Sequence, residues 1–265
     1  MVLIADIGNS SITVGLFRTE AGGAYGELVF KSKYSTDTHK SADEYASLIY
    51  NALTINSVKA EDIDGVMVSS VVPQLTYVIK EAISKLVKTR IYLLGPGLKT
   101  GINIRTDDPS ELGSDIVANA VGATELVKPP FVIIDVGTAT SVFAVNSDRA
   151  IIGGAIAPGM RVSLDSLKNA TSQLPFVSLD APKNILGKNT DDAMKAGLVL
   201  GHALMIDGMI DAISREMGES SLTAVITGGL ASVLTPHLKH DVIYSEDLTL
   251  RGLLRIYKNN TKASV

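Results

Sequence analysis

The chain has 265 residues, 46% of them apolar and 20% charged, a globular composition long enough for one large domain or two modest ones. A formal net charge of −4, with no concentration of Lys or Arg, gives no electrostatic support to a nucleic-acid or membrane-surface role. The absence of Cys excludes disulfides, thiol chemistry and Cys-ligated metals. It fits a reducing interior, and with no basic-then-apolar leader a soluble cytoplasmic protein is expected. The longest apolar stretch, Gly197 to Ile210, is interrupted by His202 and Asp207 and reads as too short for a bilayer span.

Strands are expected over residues 2–7, 11–17 and about 26–34, the last after a turn at Gly22-Gly23. Ser41-Ala42-Asp43-Glu44 reads as a capping box, followed by Tyr45, Leu48, Ile49 and Ala52 at helical spacing. A buried strand from Gly65 ends at Pro73, an amphipathic helix runs from Gln74 to Lys88, and Arg90 to Leu94 forms the next strand. Residues 95–113 hold four Gly and two Pro without periodicity and read as a loop, after which Ser114 caps a helix through Val127. Strands near 131–136, 140–146 and 150–153 then repeat the opening order. They precede a helix over Met160–Ala170 and a long helix from Thr190 toward Met217. Leu222–Thr227, Asp241–Tyr244 and a helix near 249–258 complete the chain. Two β-β-β-α-β-α halves, 1–113 and 114–265, are the arrangement of the actin, Hsp70 and sugar-kinase superfamily. The expected fold is therefore α/β, with duplicated ribonuclease H-like halves, each a mixed sheet with helices, and a nucleotide cleft between them.

Chemistry concentrates in a repeated element. Val2-Leu3-Ile4-Ala5-Asp6-Ile7-Gly8 runs through Asn9-Ser10-Ser11 into a second extended run, and Phe131-Val132-Ile133-Ile134-Asp135-Val136-Gly137 runs through Thr138-Ala139-Thr140 into another. A strand–turn–strand with Gly in the turn lets backbone N–H groups approach a phosphate, and the Asp can reach a divalent cation the phosphates also hold. One such hairpin alone would be an ordinary buried hairpin; the duplicated Asp-x-Gly points to a nucleotide clamp. Thr227-Gly228-Gly229, at a strand end, is a third glycine element, expected on the adenosine side. Asp115 follows Gly113-Ser114 at a helix start, where the helix dipole favours a carboxylate. It is either a base or an aid to capping. Asp107, Asp108 and Glu111 read as solvated, and His39, His202, His237 and His240 lack a carboxylate or Cys set for a metal.

In order along nearly the whole chain, these motifs resemble the type III pantothenate kinases. The likeness rests on Asp6-Ile7-Gly8-Asn9-Ser10-Ser11, Ser69-Ser70-Val71-Val72-Pro73, Gly113-Ser114-Asp115 and Asp135-Val136-Gly137-Thr138-Ala139-Thr140. It continues through Gly153-Gly154-Ala155-Ile156-Ala157-Pro158-Gly159, Thr171-Ser172-Gln173-Leu174-Pro175, Gly187-Lys188-Asn189-Thr190, Thr227-Gly228-Gly229 and Arg251-Gly252-Leu253. The resemblance implies ATP-dependent phosphorylation of pantothenate to 4′-phosphopantothenate, the opening step of coenzyme A biosynthesis. It implies ATP phosphates and Mg²⁺ on Asp6, Ile7, Gly8, Asn9, Ser10, Ser11, Ile12 and Thr13, with a further ATP contact from Thr138. Asp115 would be the general base, Asp135 would bind a monovalent cation (K⁺ or NH₄⁺), and Gly113, Ser114, Asp115, Ile116 and Thr190 would touch pantothenate. A homodimer is implied, and the helix with Leu198, Leu200, Leu204, Met205 and Ile210 reads either as interface or as core.

The chain departs from the family at Ile116, where Arg is usual; isoleucine cannot donate a hydrogen bond to a polar substrate. Arg105 or Lys99, in the same loop, could stand in for it. Two rivals follow, a kinase for another small hydroxylated acceptor and a catalytically weak nucleotide-binding regulator. Retention of Asp6, Asp115 and Asp135 speaks against the second, since a pure binder has no use for a base.

Overall fold

The computed structural model describes residues 1–19 and 26–261, so the expected Gly22-Gly23 turn lies outside them. The elements in order are β1 (Val2–Ile7), β2 (Ser11–Arg18), β3 (Glu27–Ser35), α1 (Ala42–Ile55), β4 (Gly65–Ser70), α2 (Pro73–Leu86), β5 (Ile91–Leu93), β6 (Asn103–Ile104) and α3 (Ser114–Ala123). They continue with β7 (Phe131–Val136), β8 (Ala139–Val145), β9 (Ala150–Pro158), α4 (Met160–Ala170), α5 (Thr190–Lys195), α6 (Gly201–Met217), β10 (Thr223–Thr227), α7 (Ala231–Leu234), β11 (Val242–Tyr244) and α8 (Leu248–Thr261). One sheet has the order β3-β2-β1-β4-β5, and the other runs β11-β10-β7-β8-β9-β6. Read from β9, the second repeats the first strand for strand, with β6 added at its edge. In both, the two hairpins are antiparallel and the crossover strands parallel, as a duplicated ribonuclease H-like fold requires.

One compact unit comprises Met1–Ile102, Asp108–Gly122 and Leu248–Val265; the other comprises Asn103–Asp107 and Ala123–Asp247. Packing thus divides the chain differently from the expected 1–113 and 114–265 halves. In the first unit, alternate residues Leu3, Ala5, Ile7, Ile12 and Val14 point toward α1 and α2 and form the core. The opposite face of the sheet receives α8: a side chain at Gly15 would lie 2.8 Å from Leu250, and one at Gly65 would strike the Tyr257 ring. α8 also crosses α3 backbone to backbone, since a side chain at Gly252 would strike the Ala118 carbonyl and lie 3.0 Å from the Gly122 nitrogen. Small residues at that crossing draw both helices into the first unit.

The capping box at Ser41 and Glu44 forms as expected. α3 ends at Ala123, short of Val127, and β9 reaches Pro158, well past residue 153. The helical stretch Thr190–Met217 is continuous over 28 residues and has the length and composition of a membrane span, unlike the shorter apolar run expected. Its Val199, Ala203, Ile206 and Ile210 lie in the core of the second unit. Between α5 and α6, Ala196–Leu200 form one π turn, a widened turn that resets the phase of the helix.

Candidate active site

In the first unit the sheet and α3 converge on one place. β1 and β2 close at the pair Ile7–Ile12, leaving Gly8 to Ser11 as the turn, with Gly8 N–H donating to the Ser11 carbonyl at 3.0 Å. Ile7 and Ile12 are buried in the strand pairing, with the Ile7 carbonyl accepting from Val71 N–H at 3.0 Å, so the open part of the turn is Asn9 and Ser10, which are exposed. The segment after β3 holds the turn in shape: Thr36 Oγ1 donates to the Gly8 carbonyl at 2.6 Å and Thr36 N–H to the Ser10 carbonyl at 3.2 Å. Asp6 pairs with Thr13 on β2 and Ser69 on β4, and residues opposite one another share a face, so the three form one row beside the turn. This is the face opposite the α1–α2 core. No group of three or more His, Cys, Asp or Glu that could hold a metal occurs among the described residues. A divalent ion would therefore depend on Asp6 together with phosphate oxygens, which suits Mg²⁺.

Asp115 joins this row through its neighbour. Ser114 Oγ donates to the Ser70 carbonyl at 3.2 Å, leaving the Ser69 hydroxyl to donate to Ser114 Oγ at 2.9 Å. The start of α3 is thereby pinned to the end of β4, one strand from Asp6. Ser114 thus acts as a tether to β4. The Asp115 carboxylate folds back over the helix start, where Oδ1 accepts from Ile116 N–H at 2.8 Å. Oδ1 also occupies the space a side chain at Gly113 would need, which explains the glycine two residues before the carboxylate. Burial raises the Asp115 pKa above the ordinary carboxylate value, opposed by bonds from the N–H groups of Ile116 and of Asp115 itself. A carboxylate so raised is a better proton acceptor than a solvated one. Ile116 packs beside Gly113 and adds no polar group.

In the second unit the corresponding turn is shorter. β7 and β8 close at Val136–Thr140, and Gly137 N–H donates to the Ala139 carbonyl at 2.9 Å. Asp135 stands opposite Ser141 and Thr227, as Asp6 stands opposite Thr13 and Ser69. Thr138 is exposed, and its carbonyl accepts from Gly159 N–H at 3.0 Å. A side chain at Gly159 would collide with the Gly137 and Thr138 carbonyls. Thr140, fully buried, meets His202 Nε2 at 2.8 Å, and burial lowers the His202 pKa, disfavouring the charged imidazolium. Gly228 has φ +107°, and a side chain there would meet the Val136 nitrogen at 2.5 Å. Gly228 is thus glycine because it lies against the end of β7.

Thr190 belongs to the second unit. It opens α5 after the Asn189 cap and lies on the rim of a hollow of about 760 Å³ whose walls include Leu167, Leu174, Lys188, Met194 and Leu198. Arg105 donates one guanidinium N–H to Asp148 at 2.9 Å in an exposed ion pair. Lys99 is tied by its backbone to Asn260. Asp107, Asp108 and Glu111 are exposed, Asp108 capping the turn at Ser110, as a solvated loop implies. His240 pairs with Asp211. On the apolar helix Leu198 and Ile210 are core, whereas Leu204 is 49% exposed. Sequence reasoning missed the Ser69–Ser114 tether, the Thr36 brace and the Thr140–His202 pair. A serine ending the otherwise apolar run of β4 was the signal for the first.

Solved structures confirm the fold at low identity. A Campylobacter jejuni protein assigned to the Baf family of transcriptional activators matches with TM-score 0.62 and 19% identity, covering 97% of this chain and 98% of its own. A Sinorhizobium meliloti protein assigned as a 2-dehydro-3-deoxygalactonokinase matches with TM-score 0.61 and 12% identity, covering 97% and 98%. An activator of 2-hydroxyisocaproyl-CoA dehydratase from Clostridium difficile, with ADPNP bound, reaches TM-score 0.50 and 13% identity, covering 97% and 93%. These likenesses establish an actin-like ATPase and sugar-kinase fold. The sequence pattern of type III pantothenate kinases, nucleotide-dependent phosphotransferases of coenzyme A biosynthesis, matches residues 2–212, and the chain belongs to that family.

Proposed function

We propose that the protein transfers the γ-phosphoryl group of ATP to the primary hydroxyl of pantothenate, giving 4′-phosphopantothenate, in the cytoplasm. The observation that carries this reading is the tether Ser69–Ser114, which sets Asp115 beside the Asp6 row and the Gly8–Ser11 turn within one compact unit. Phosphoryl transfer asks for positioned phosphates, neutralised charge and an oriented acceptor, and that set of groups matches the request. Asp115 takes the proton of the acceptor hydroxyl, whose oxygen forms the new bond to phosphorus as the bond to ADP breaks. Gly8 N–H closes the turn on Ser11, the remaining backbone amides of the turn, at Asn9, Ser10 and Ser11, hold the phosphates, Asp6 and Thr13 flank them, and Thr138 adds a contact from the second turn. Mg²⁺ on Asp6 would neutralise phosphate charge, and K⁺ or NH₄⁺ would sit at Asp135. Gly113, Ser114, Ile116 and Thr190 contact the acceptor. The active species is a homodimer, supported by Leu204, a large apolar side chain left 49% exposed on the helix whose Ala203, Ile206 and Ile210 are core.

The test is ATP-dependent phosphorylation of pantothenate by the purified protein with Mg²⁺, with K⁺ present or omitted, and with Asp115→Asn alongside. Turnover that needs K⁺ and falls by about 10² or more in the variant is the expected result. Static light scattering reads the dimer. Ile116 favours a second reading, another small hydroxylated acceptor, because it donates nothing and Arg105 pairs with Asp148. A panel of acceptors decides between them: efficient turnover of pantothenate alone removes the second reading.

A further inference from the structure

We propose that Lys33 is an additional contact to the ATP phosphates, extending the Asp6 row by one strand. The register places Lys33 on β3 directly opposite Thr13, which is itself opposite Asp6 on β1 and, across β1, in line with Ser69 on β4. Residues in register share a face, so Lys33 rises on the same side of the sheet as Asp6, Thr13 and Ser69. Two strand spacings, about 9–10 Å, separate it from Asp6, a gap that a lysine stem and a phosphate group together span. Its position is fixed relative to the turn, because Thr36, three residues on, bonds to Gly8 and Ser10.

Charge supports the same assignment. The turn Gly8-Asn9-Ser10-Ser11 contains no basic residue, and backbone amides with one divalent cation still leave a triphosphate with net negative charge. Of the basic side chains nearby, Arg18 lies at the far end of the hairpin and is paired with Glu27, and Lys40 is paired with Asp37. Lys31 stands opposite Gly15, one step farther from the turn on the same face. Lys33 makes no hydrogen bond or ion pair with the described residues, and it is exposed. The rival explanation is that β3, an edge strand, carries lysines to discourage strand pairing. That role would fall equally on Lys31 and Lys33, whereas a phosphate contact would not.

The assignment rests on ATP binding at the Gly8–Ser11 turn, and the experiment separates the two. ATP affinity in the presence of Mg²⁺ is measured by calorimetry for the wild type, Lys33→Met, Lys33→Arg and Lys31→Met, with ligand-free melting curves as the folding control. Lys33→Met is expected to bind ATP about tenfold or more weakly at unchanged Tm, with Lys33→Arg recovering most of the loss and Lys31→Met unaffected. Should the Met variant melt early, Lys33→Gln carries the same reading. Affinity within about twofold of the wild type, or an equal loss in Lys31→Met, overturns the assignment and leaves the turn as the ATP site. A wild type that fails to bind ATP overturns the turn as a nucleotide site and this assignment with it.

Discussion

The two Asp-x-Gly turns share a sequence pattern and a place in their sheets, yet they are built differently. The first holds four residues between its closing pair, leaves Asn9 and Ser10 exposed, and is braced by the Thr36 hydroxyl and amide. The second holds three, leans on Gly159 with no room for a side chain, and is backed by the buried pair Thr140–His202. The extra residue lengthens the first turn outside the strand pairing, and the tether to Asp115 lies beside it. The second is the more closely packed of the two. Duplication supplied two similar hairpins; the elements packed behind each decided how closely its turn is held.

The strongest way to break this contrast is to remove the group that sets the first turn apart. Asp115→Asn should lower kcat by about 10²–10⁴ while ATP affinity stays near wild type, read by steady-state kinetics and calorimetry. Because the Asp115 pKa is raised, the acid limb of kcat/KM should sit above the ordinary carboxylate range, with activity appearing as pH rises and the base loses its proton. Next comes Gly159→Ala, which forces a methyl group against two carbonyls of the second turn. A loss of about 1–3 kcal/mol in denaturant stability and weaker ATP binding are expected, whereas Asn9→Ala, on the exposed turn, should leave stability within about 0.5 kcal/mol.

His202 gives a smaller effect with a definite sign. Its folded-state pKa is depressed, so as pH falls below about 6.5 the unfolded chain takes a proton that the folded chain resists. Stability should therefore decline toward acid through that window, and His202→Gln should flatten that part of the curve. His202→Leu, which strips the buried Thr140 hydroxyl of its partner, should cost about 1–3 kcal/mol at neutral pH. Thr36→Val should have the least effect, about 0.5–1.5 kcal/mol, with a rise in the KM for ATP if the brace shapes the first turn.

Much of this was legible in the residues. Apolar alternation, the Ser41–Glu44 box and the repeated Asp-x-Gly located most strands, the first helices and both turns, since period and capping are local properties. The same local reading found Asp115 but misjudged Ser114, which bonds to β4 rather than serving as a cap. β6 escaped notice because a two-residue strand has no period of its own and exists only by pairing with β9.

The sequence by itself determined the duplicated order of elements and the family, because these depend on residue type and short spacing. Tertiary structure decided the rest. It placed α3 and α8 in the first unit through glycine contacts at Gly122 and Gly252, and it joined Asp115 to Asp6 through two serines 45 residues apart. It also aligned Lys33 with Thr13 across a strand register. Register, helix crossing and burial arise from residues distant in the chain, and no local pattern encodes them.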